Sequence, residues 1–164
     1  MRENSIKTLP KSIARLIQLK RFDIGQNEFI DIPESLCNLP RLEELWCDGN
    51  EITSIPSVRT LIMIKLIKLI LFFYFFKYIG KLTQLTYLDA SENNIETLAS
   101  EIGECSSLTD LNLTYNKIIQ LPEAIGSLKN LTTLQLADNH LLSLPNSIGK
   151  YVFCMTTLQL ITNC

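Results

Sequence analysis

Apolar residues recur in one fixed pattern, L-x-x-L-x-L-x-x-N, beginning at Leu19, Leu42, Leu85, Leu108 and Leu131. The starts are spaced by 23, 43, 23 and 23 residues, so one step carries about 20 extra residues without losing the register. Counting Leu131 as position 1, Leu134, Leu136, Asn139, Leu141, Leu144, Pro145 and Ile148 fall at positions 4, 6, 9, 11, 14, 15 and 18. The repeat from Leu108 has the same form, with Leu111, Leu113, Asn116, Ile118, Leu121, Pro122 and Ile125. Positions 4 and 6 alternate to one side, which is the period of a β-strand. Each repeat therefore predicts one short strand. The proline at position 15 opens a short helical or 3₁₀ turn, where its missing N–H costs little.

A pattern of this kind with a period of 20–29 residues is the signature of a leucine-rich-repeat solenoid. The expected fold is α/β: a right-handed horseshoe with a parallel β-sheet on the concave side and short helical or 3₁₀ turns on the convex side. No repeat can bury its apolar face alone, so stability comes from stacking neighbours. The polar column is Asn4, Asn27, Asn50, Asn93, Asn116 and Asn139. An amide both donates and accepts. It can satisfy backbone groups buried where the strand leaves the sheet, so Asn27, Asn50, Asn93, Asn116 and Asn139 read as a structural ladder. Asn4 stands 23 residues before Asn27, so the chain begins inside a repeat and reads as a fragment or an incomplete gene model.

Composition narrows the class. At 46% hydrophobic and 20% charged residues, the 164-residue chain is a folding sequence of about one domain. A net charge of -2 argues against general nucleic-acid binding, which needs a basic footprint. The five cysteines, at 37, 47, 105, 154 and 164, form no C-x-x-C pair and no disulfide-cap cluster. Cys47 and Cys105 fall on core positions and read as small buried hydrophobes, which fits a reducing, cytosolic setting. The N-L-T sequons at Asn112 and Asn130 read as chance. No phosphate loop, metal-ligand cluster or cofactor motif is present, and His140, the single histidine, lies in a turn. A row of carboxylates on open strands lacks the enclosed pocket that shifts pKa values. Catalytic, cofactor and metal sites are therefore not expected.

The organisation divides into repeats over 1–57, an apolar insertion over 58–77, repeats over 78–149 and an atypical tail or partial repeat over 150–164. Between Leu61 and Phe76 all residues are apolar except Lys65 and Lys68. A spanning helix needs about 20 apolar residues, and spanning would put the first repeats across the bilayer from the rest. The segment reads instead as a retained intron. Val58-Arg59 can be encoded as GTA-AGR, a splice donor; LFFYFF can be almost wholly pyrimidine; Lys77 can end in AG. Gly149-Lys150-Tyr151 can encode a second donor. Against that, MTTLQLITN (155–163) matches LTTLQLADN (131–139) at six of nine positions. The tail thus reads as read-through or as a partial repeat.

Positions 2, 3, 5, 7 and 8 are expected to face solvent on the concave side. Asp23, Glu43, Glu44, Asp48, Asp89, Glu92, Asp110 and Asp138 are acidic there, against Lys20 and Arg21, for a charge of about -6. Trp46, Tyr87 and Tyr115 sit among them. A rigid aromatic beside carboxylates is the kind of hot spot that suits a basic or amphipathic protein partner. The candidate partner-binding residues are Glu44, Trp46, Asp48, Tyr87, Asp89, Glu92, Asp110 and Tyr115.

The stretches LPKSIARLIQLKRFDIGQNEF, LEELWCDGN, LTQLTYLDASENNIE, ECSSLTDLNL and LPEAIGSLKNLTTLQLADN resemble the LAP family (leucine-rich repeats and PDZ domains), in its erbin, densin and lano branch. The resemblance covers residues 4–57 and 78–149. It implies a non-catalytic interaction module of a cytoplasmic scaffold, peripheral at basolateral membranes and cell junctions. Such scaffolds maintain polarity, cluster receptors and restrain Ras signalling. PDZ domains are absent from this sequence, and the insertion is foreign to the family. The rival readings are a Ras-pathway repeat scaffold without PDZ domains and a membrane-anchored repeat protein using residues 58–78. Full-length transcript sequencing is expected to join Ser57 to Tyr78 and to run past Gly149 into further repeats and PDZ domains. Transcripts that keep codons 58–77 in every tissue would contradict this.

Overall fold

The computed structural model describes residues 1–55 and 79–150 and the strand 157–159. The insertion at 58–77, including the apolar run read as a retained intron, lies outside the described residues, as does most of the tail. Among the described residues, eight strands occur in chain order. They are β1 (Arg21–Asp23), β2 (Glu44–Trp46), β3 (Ser54–Ile55), β4 (Tyr87–Asp89), β5 (Thr97–Leu98), β6 (Asp110–Asn112), β7 (Thr133–Gln135) and β8 (Thr157–Gln159). Six of them form one parallel sheet in the order β1-β2-β4-β6-β7-β8. The sheet is the concave layer. Strands β3 and β5 form a second, two-stranded parallel ladder on the flank, and single bridges carry it on through Gln120 and Ser143.

The convex layer is a stack of 3₁₀ turns at Lys11–Arg15, Ile79–Lys81, Ser100–Glu104, Glu123–Ser127 and Asn146–Lys150. One true α-helical turn, α1 (Glu34–Cys37), interrupts it. Pro10, Pro33 and Pro122 occupy the N-cap position of their turns, one residue before the helical one. Ala99, in the repeat without proline, adopts the same backbone, φ -64° and ψ 145°. Gly80, Gly103 and Gly126 follow the isoleucine of their turns, where neighbouring turns stack closely. A Cβ on Gly103 would lie 2.6 Å from the Ala124 carbonyl oxygen.

Between the layers the repeat positions form continuous apolar columns. Leu45, Leu88, Leu111 and Leu134 lie in register at position 4 and are buried. Position 6 carries Ile24, Cys47, Ala90, Leu113 and Leu136, all buried. Each such aliphatic side chain contributes roughly 1.5–3 kcal/mol of transfer free energy. Cys47 and Cys105 are free and fully buried, as small core residues. The Cys105 thiol donates to the Ile79 carbonyl at 3.1 Å, and burial pushes its pKa up to about 12.

The asparagine column is what threads one repeat to the next. In Asn50, Asn93, Asn116 and Asn139 the side-chain oxygen accepts the position-11 N–H of the preceding repeat, at 2.9–3.0 Å. The amide nitrogen of each donates to two carbonyls of its own turn and to the position-6 carbonyl of the preceding repeat. The accepted bond spans 21 residues at Asn50, Asn116 and Asn139, but 41 at Asn93. The donated bond likewise lengthens from 26 residues to 46. Both differ by 20, and β2 still pairs directly with β4. The extra residues fall between β3 and the turn at Ile79, and the ladder runs on across them. At the far end β8 pairs with β7 (Thr133 with Thr157, Gln135 with Gln159), so the sheet continues one strand into the tail. Among the described residues no helix is long and apolar enough to cross a membrane.

Asn116→Ala removes one acceptor and one donor that serve the Ile95 N–H and the carbonyls of Ala90, Leu113 and Thr114. Urea unfolding is expected to show a loss of about 3 kcal/mol. A loss under about 1 kcal/mol would mean that water replaces the amide.

Candidate protein-binding site

The sheet strands occupy positions 3 to 5 of each repeat, so positions 3 and 5 present side chains to the concave side and position 4 fills the core. Position 3 carries Arg21, Glu44, Tyr87, Asp110 and Thr133 along the sheet; position 5 carries Asp23, Trp46, Asp89, Asn112 and Gln135. In the centre, Tyr87 lies between Glu44 and Asp110, and Trp46 between Asp23 and Asp89. Aromatic and acidic side chains therefore alternate along both rows.

The two aromatics touch. The ring centroids of Trp46 and Tyr87 are 5.5 Å apart with planes tilted by 43°, within the range of favourable aromatic pairs. The Tyr87 hydroxyl donates to Asp89 Oδ2 at 3.2 Å. Burial, and next the Asp89 charge, push the Tyr87 pKa up to about 12. The phenol thus stays protonated and keeps donating. Asp89 also accepts from Asn112 Nδ2 at 3.2 Å and from the Ser91 N–H and hydroxyl at 3.0 and 2.7 Å. Among the described residues, Asp89 and Asp110 have no cation within ion-pair distance.

Position 5 also has a local duty. Asp23, Asp89 and Asn112 each accept the N–H two residues on, closing an Asx turn at 2.8–3.1 Å. That turn leads into a left-handed residue at position 8: Gln26, Glu92 and Tyr115, with φ of 51°, 52° and 54°. Such a φ costs an ordinary residue roughly 1–2 kcal/mol. Two repeats lack the Asx side chain, having Trp46 and Gln135 at position 5. At position 8 they carry Gly49 (φ 59°) and Asp138 (φ 53°), the residue types that tolerate this conformation. Trp46 is thereby released from turn-making, whereas Asp89 serves both the turn and the face.

Three expectations change. Positions 7 and 8 do not continue the strand: Glu92 and Tyr115 sit in the left-handed turn, off the sheet, and Tyr115 is 58% exposed. Asp48 is buried rather than presented to solvent. The charge of about -6 ignored Arg2, which pairs with Asp48 at 2.6 Å and Asp23 at 3.4 Å. Lys20–Glu43 and Arg21–Glu44 form further pairs between neighbouring strands. On the sheet, the carboxylates without a cation among the described residues are Asp89 and Asp110, beside the aromatics. Arg2 was missed because it precedes the first full repeat, although it occupies position 7 in the same frame as Gly25 and Asp48. The sequon at Asn112 also has a structural account, since Thr114 donates its N–H and hydroxyl to the Asn112 amide oxygen.

Comparison with known proteins agrees with this geometry. A family model described as a leucine-rich repeat region matches residues 73–163. The chain belongs to the leucine-rich-repeat family. No curated protein sequence matches it. Among solved structures it is similar to a leucine-rich-repeat protein of Leptospira interrogans, at 29% identity and a TM-score of 0.72. That alignment covers 93% of this chain and 34% of the other. It is also similar to an internalin of Listeria monocytogenes, at 26% identity and a TM-score of 0.68, covering 95% of this chain and 39% of the other. The chain thus spans little more than a third of either structure. The fold is a leucine-rich-repeat solenoid, typically a non-enzymatic protein-interaction module, and no catalytic family is indicated.

Tyr87 supplies a pH test. Its folded-state pKa is raised, so its contribution to stability is complete below the ordinary tyrosine range and is lost as pH climbs through about 12. Absorbance titration at high pH is expected to show a phenolate appearing only near pH 12 and missing in Tyr87→Phe. A titration that Tyr87→Phe leaves unchanged in that range would contradict the burial and the bond to Asp89.

Proposed function

We propose that the chain is a non-catalytic docking module whose concave face grips a basic or amphipathic protein segment at Trp46 and Tyr87. The observation that carries this is the tilted Trp46–Tyr87 pair, with Asp89 the register partner of Trp46 and Asp110 that of Tyr87, whose charges no cation of the described residues neutralises. Tryptophan and tyrosine dominate binding hot spots, because they present large area on few rotatable bonds. A lysine or arginine laid over these rings gains from the negative ring faces and from the flanking carboxylates together. The neutral Thr, Asn and Gln rows beyond Asp110 would accept the polar remainder of the segment.

The wider role we assign is that of a cytoplasmic scaffold at basolateral membranes and junctions, where it would serve polarity, receptor clustering and restraint of Ras signalling. This rests on the sequence resemblance to the LAP family. Association with the membrane would then be peripheral, through the parent scaffold.

Selection from a random peptide library is expected to enrich segments bearing lysine or arginine. Trp46→Ala should weaken the selected peptides by about 30-fold, the scale of a hot-spot residue. Enrichment of acidic or uncharged segments, or binding indifferent to Trp46→Ala, would reject this site.

A further inference from the structure

Three carboxylates neighbour Tyr87 on the sheet, and they differ in what they can still accept. Glu44 and Asp110 are its register partners on β2 and β6, and Asp89 stands two residues on along β4. Glu44 already holds Arg21, Nη2 to Oε1 at 2.9 Å. Asp89 is filled on both oxygens. Its Oδ1 accepts the Ser91 N–H and hydroxyl at 3.0 and 2.7 Å. Its Oδ2 accepts the Tyr87 hydroxyl and the Asn112 amide, both at 3.2 Å. Asp110 is different. The Thr109 hydroxyl covers its Oδ2 at 2.7 Å, and that hydroxyl also reaches the Thr86 carbonyl at 2.8 Å. Among the described residues, Asp110 Oδ1 meets no donor and the carboxylate meets no cation.

The ring beside that oxygen is fixed in advance. Its hydroxyl is tied to Asp89, and Trp46 packs on it with centroids 5.5 Å apart. Trp46, Tyr87 and Asp110 are each half-buried, so all three keep surface on the concave side. Neighbouring strands lie about 4.8 Å apart, and a ring face holds a cation within about 6 Å of its centre. One ammonium can therefore lie over Tyr87 and donate to Asp110 Oδ1 at the same time. A guanidinium reads a carboxylate through two parallel bonds, and Asp110 offers one uncovered oxygen. Lysine's compact ammonium needs no more than that.

We propose that Asp110 is the residue by which the concave face reads a lysine of the partner segment. The ammonium lies over Tyr87 and donates to Asp110 Oδ1, while Asp89 is a positioning residue that holds the Tyr87 ring. This rests on the reading of the face as a protein-binding surface, and it narrows the ligand from a basic segment to one anchored by an unmodified lysine. Arginine forgoes its second prong. Acetylation removes the charge, and trimethylation removes the N–H donors.

The test uses the whole chain, its single tryptophan as reporter, and four capped Gly-X-Gly peptides, with X lysine, arginine, trimethyl-lysine or acetyl-lysine. The lysine peptide is expected to change Trp46 emission saturably. It should bind about tenfold more tightly than the trimethyl-lysine and acetyl-lysine peptides, the worth of one charged hydrogen bond, and about threefold more tightly than the arginine peptide. Asp110→Asn should level lysine with trimethyl-lysine. Thr109→Val keeps the side-chain shape but uncovers Asp110 Oδ2, and should bring arginine up to lysine. Asp89→Asn keeps the turn, as Asn112 does at the same position, and should preserve the ranking while lowering the pH at which the Tyr87 phenolate appears. The proposal is overturned if lysine and trimethyl-lysine bind the intact chain equally, if their difference survives Asp110→Asn, or if arginine stays behind lysine in Thr109→Val. An unmoved Tyr87 titration in Asp89→Asn overturns the positioning role. Failure here, with basic segments still selected through Trp46, removes the lysine assignment alone; loss of both removes the docking face.

Discussion

Every repeat of this chain turns a corner as its strand leaves the sheet, and at that corner backbone groups are buried away from water. The asparagine at position 9 supplies them with partners on both sides of the corner, joining a repeat to the one before it at two points. An aliphatic residue there would leave several orphaned groups, each costing about 1–3 kcal/mol. The apolar columns follow from that constraint. They stack because the ladder holds successive turns in one register, and a step of 43 residues is accepted because Asn93 still reaches Ile52 and Cys47.

The same register decides which side chains are free to act. The sheet presents only positions 3 and 5, and position 5 is drawn into turn-making wherever Asp or Asn occupies it. Trp46 escapes that duty because Gly49 takes the left-handed conformation without help. The aromatic is therefore displayed rather than built into the turn. It meets Tyr87 across the gap that the extra residues leave in the sequence but not in the sheet.

Charge on this face is graded. At the N-terminal side Lys20 pairs with Glu43, Arg21 with Glu44, and Arg2 is shared between Asp48 and Asp23. The solvent-facing pairs Lys20–Glu43 and Arg21–Glu44 contribute about 0–1 kcal/mol each, so they shape specificity more than stability. Past Trp46 the carboxylates of Asp89 and Asp110 stand without cations among the described residues, and then the rows become neutral. Along the sheet the order is therefore paired charges, an aromatic pair, two carboxylates without cations among the described residues, and a polar field.

The period alone determined the solenoid, its parallel sheet, its strand positions and its asparagine ladder, because each depends on contacts repeated at a fixed offset between adjacent units. It also placed Trp46, Tyr87, Asp89 and Asp110 on one face, since alternation along a strand is a local property. Only the tertiary structure decided what depends on reach. Arg2 passes over Gly25 to Asp48, so a residue counted as an exposed acid is a buried partner of a cation two repeats away. Glu92 and Tyr115 leave the sheet because position 8 turns left-handed, a backbone choice that no apolar pattern encodes. Side-chain length, the absence of a Cβ and the sign of φ act between repeats or within a turn, and periodicity carries no record of them.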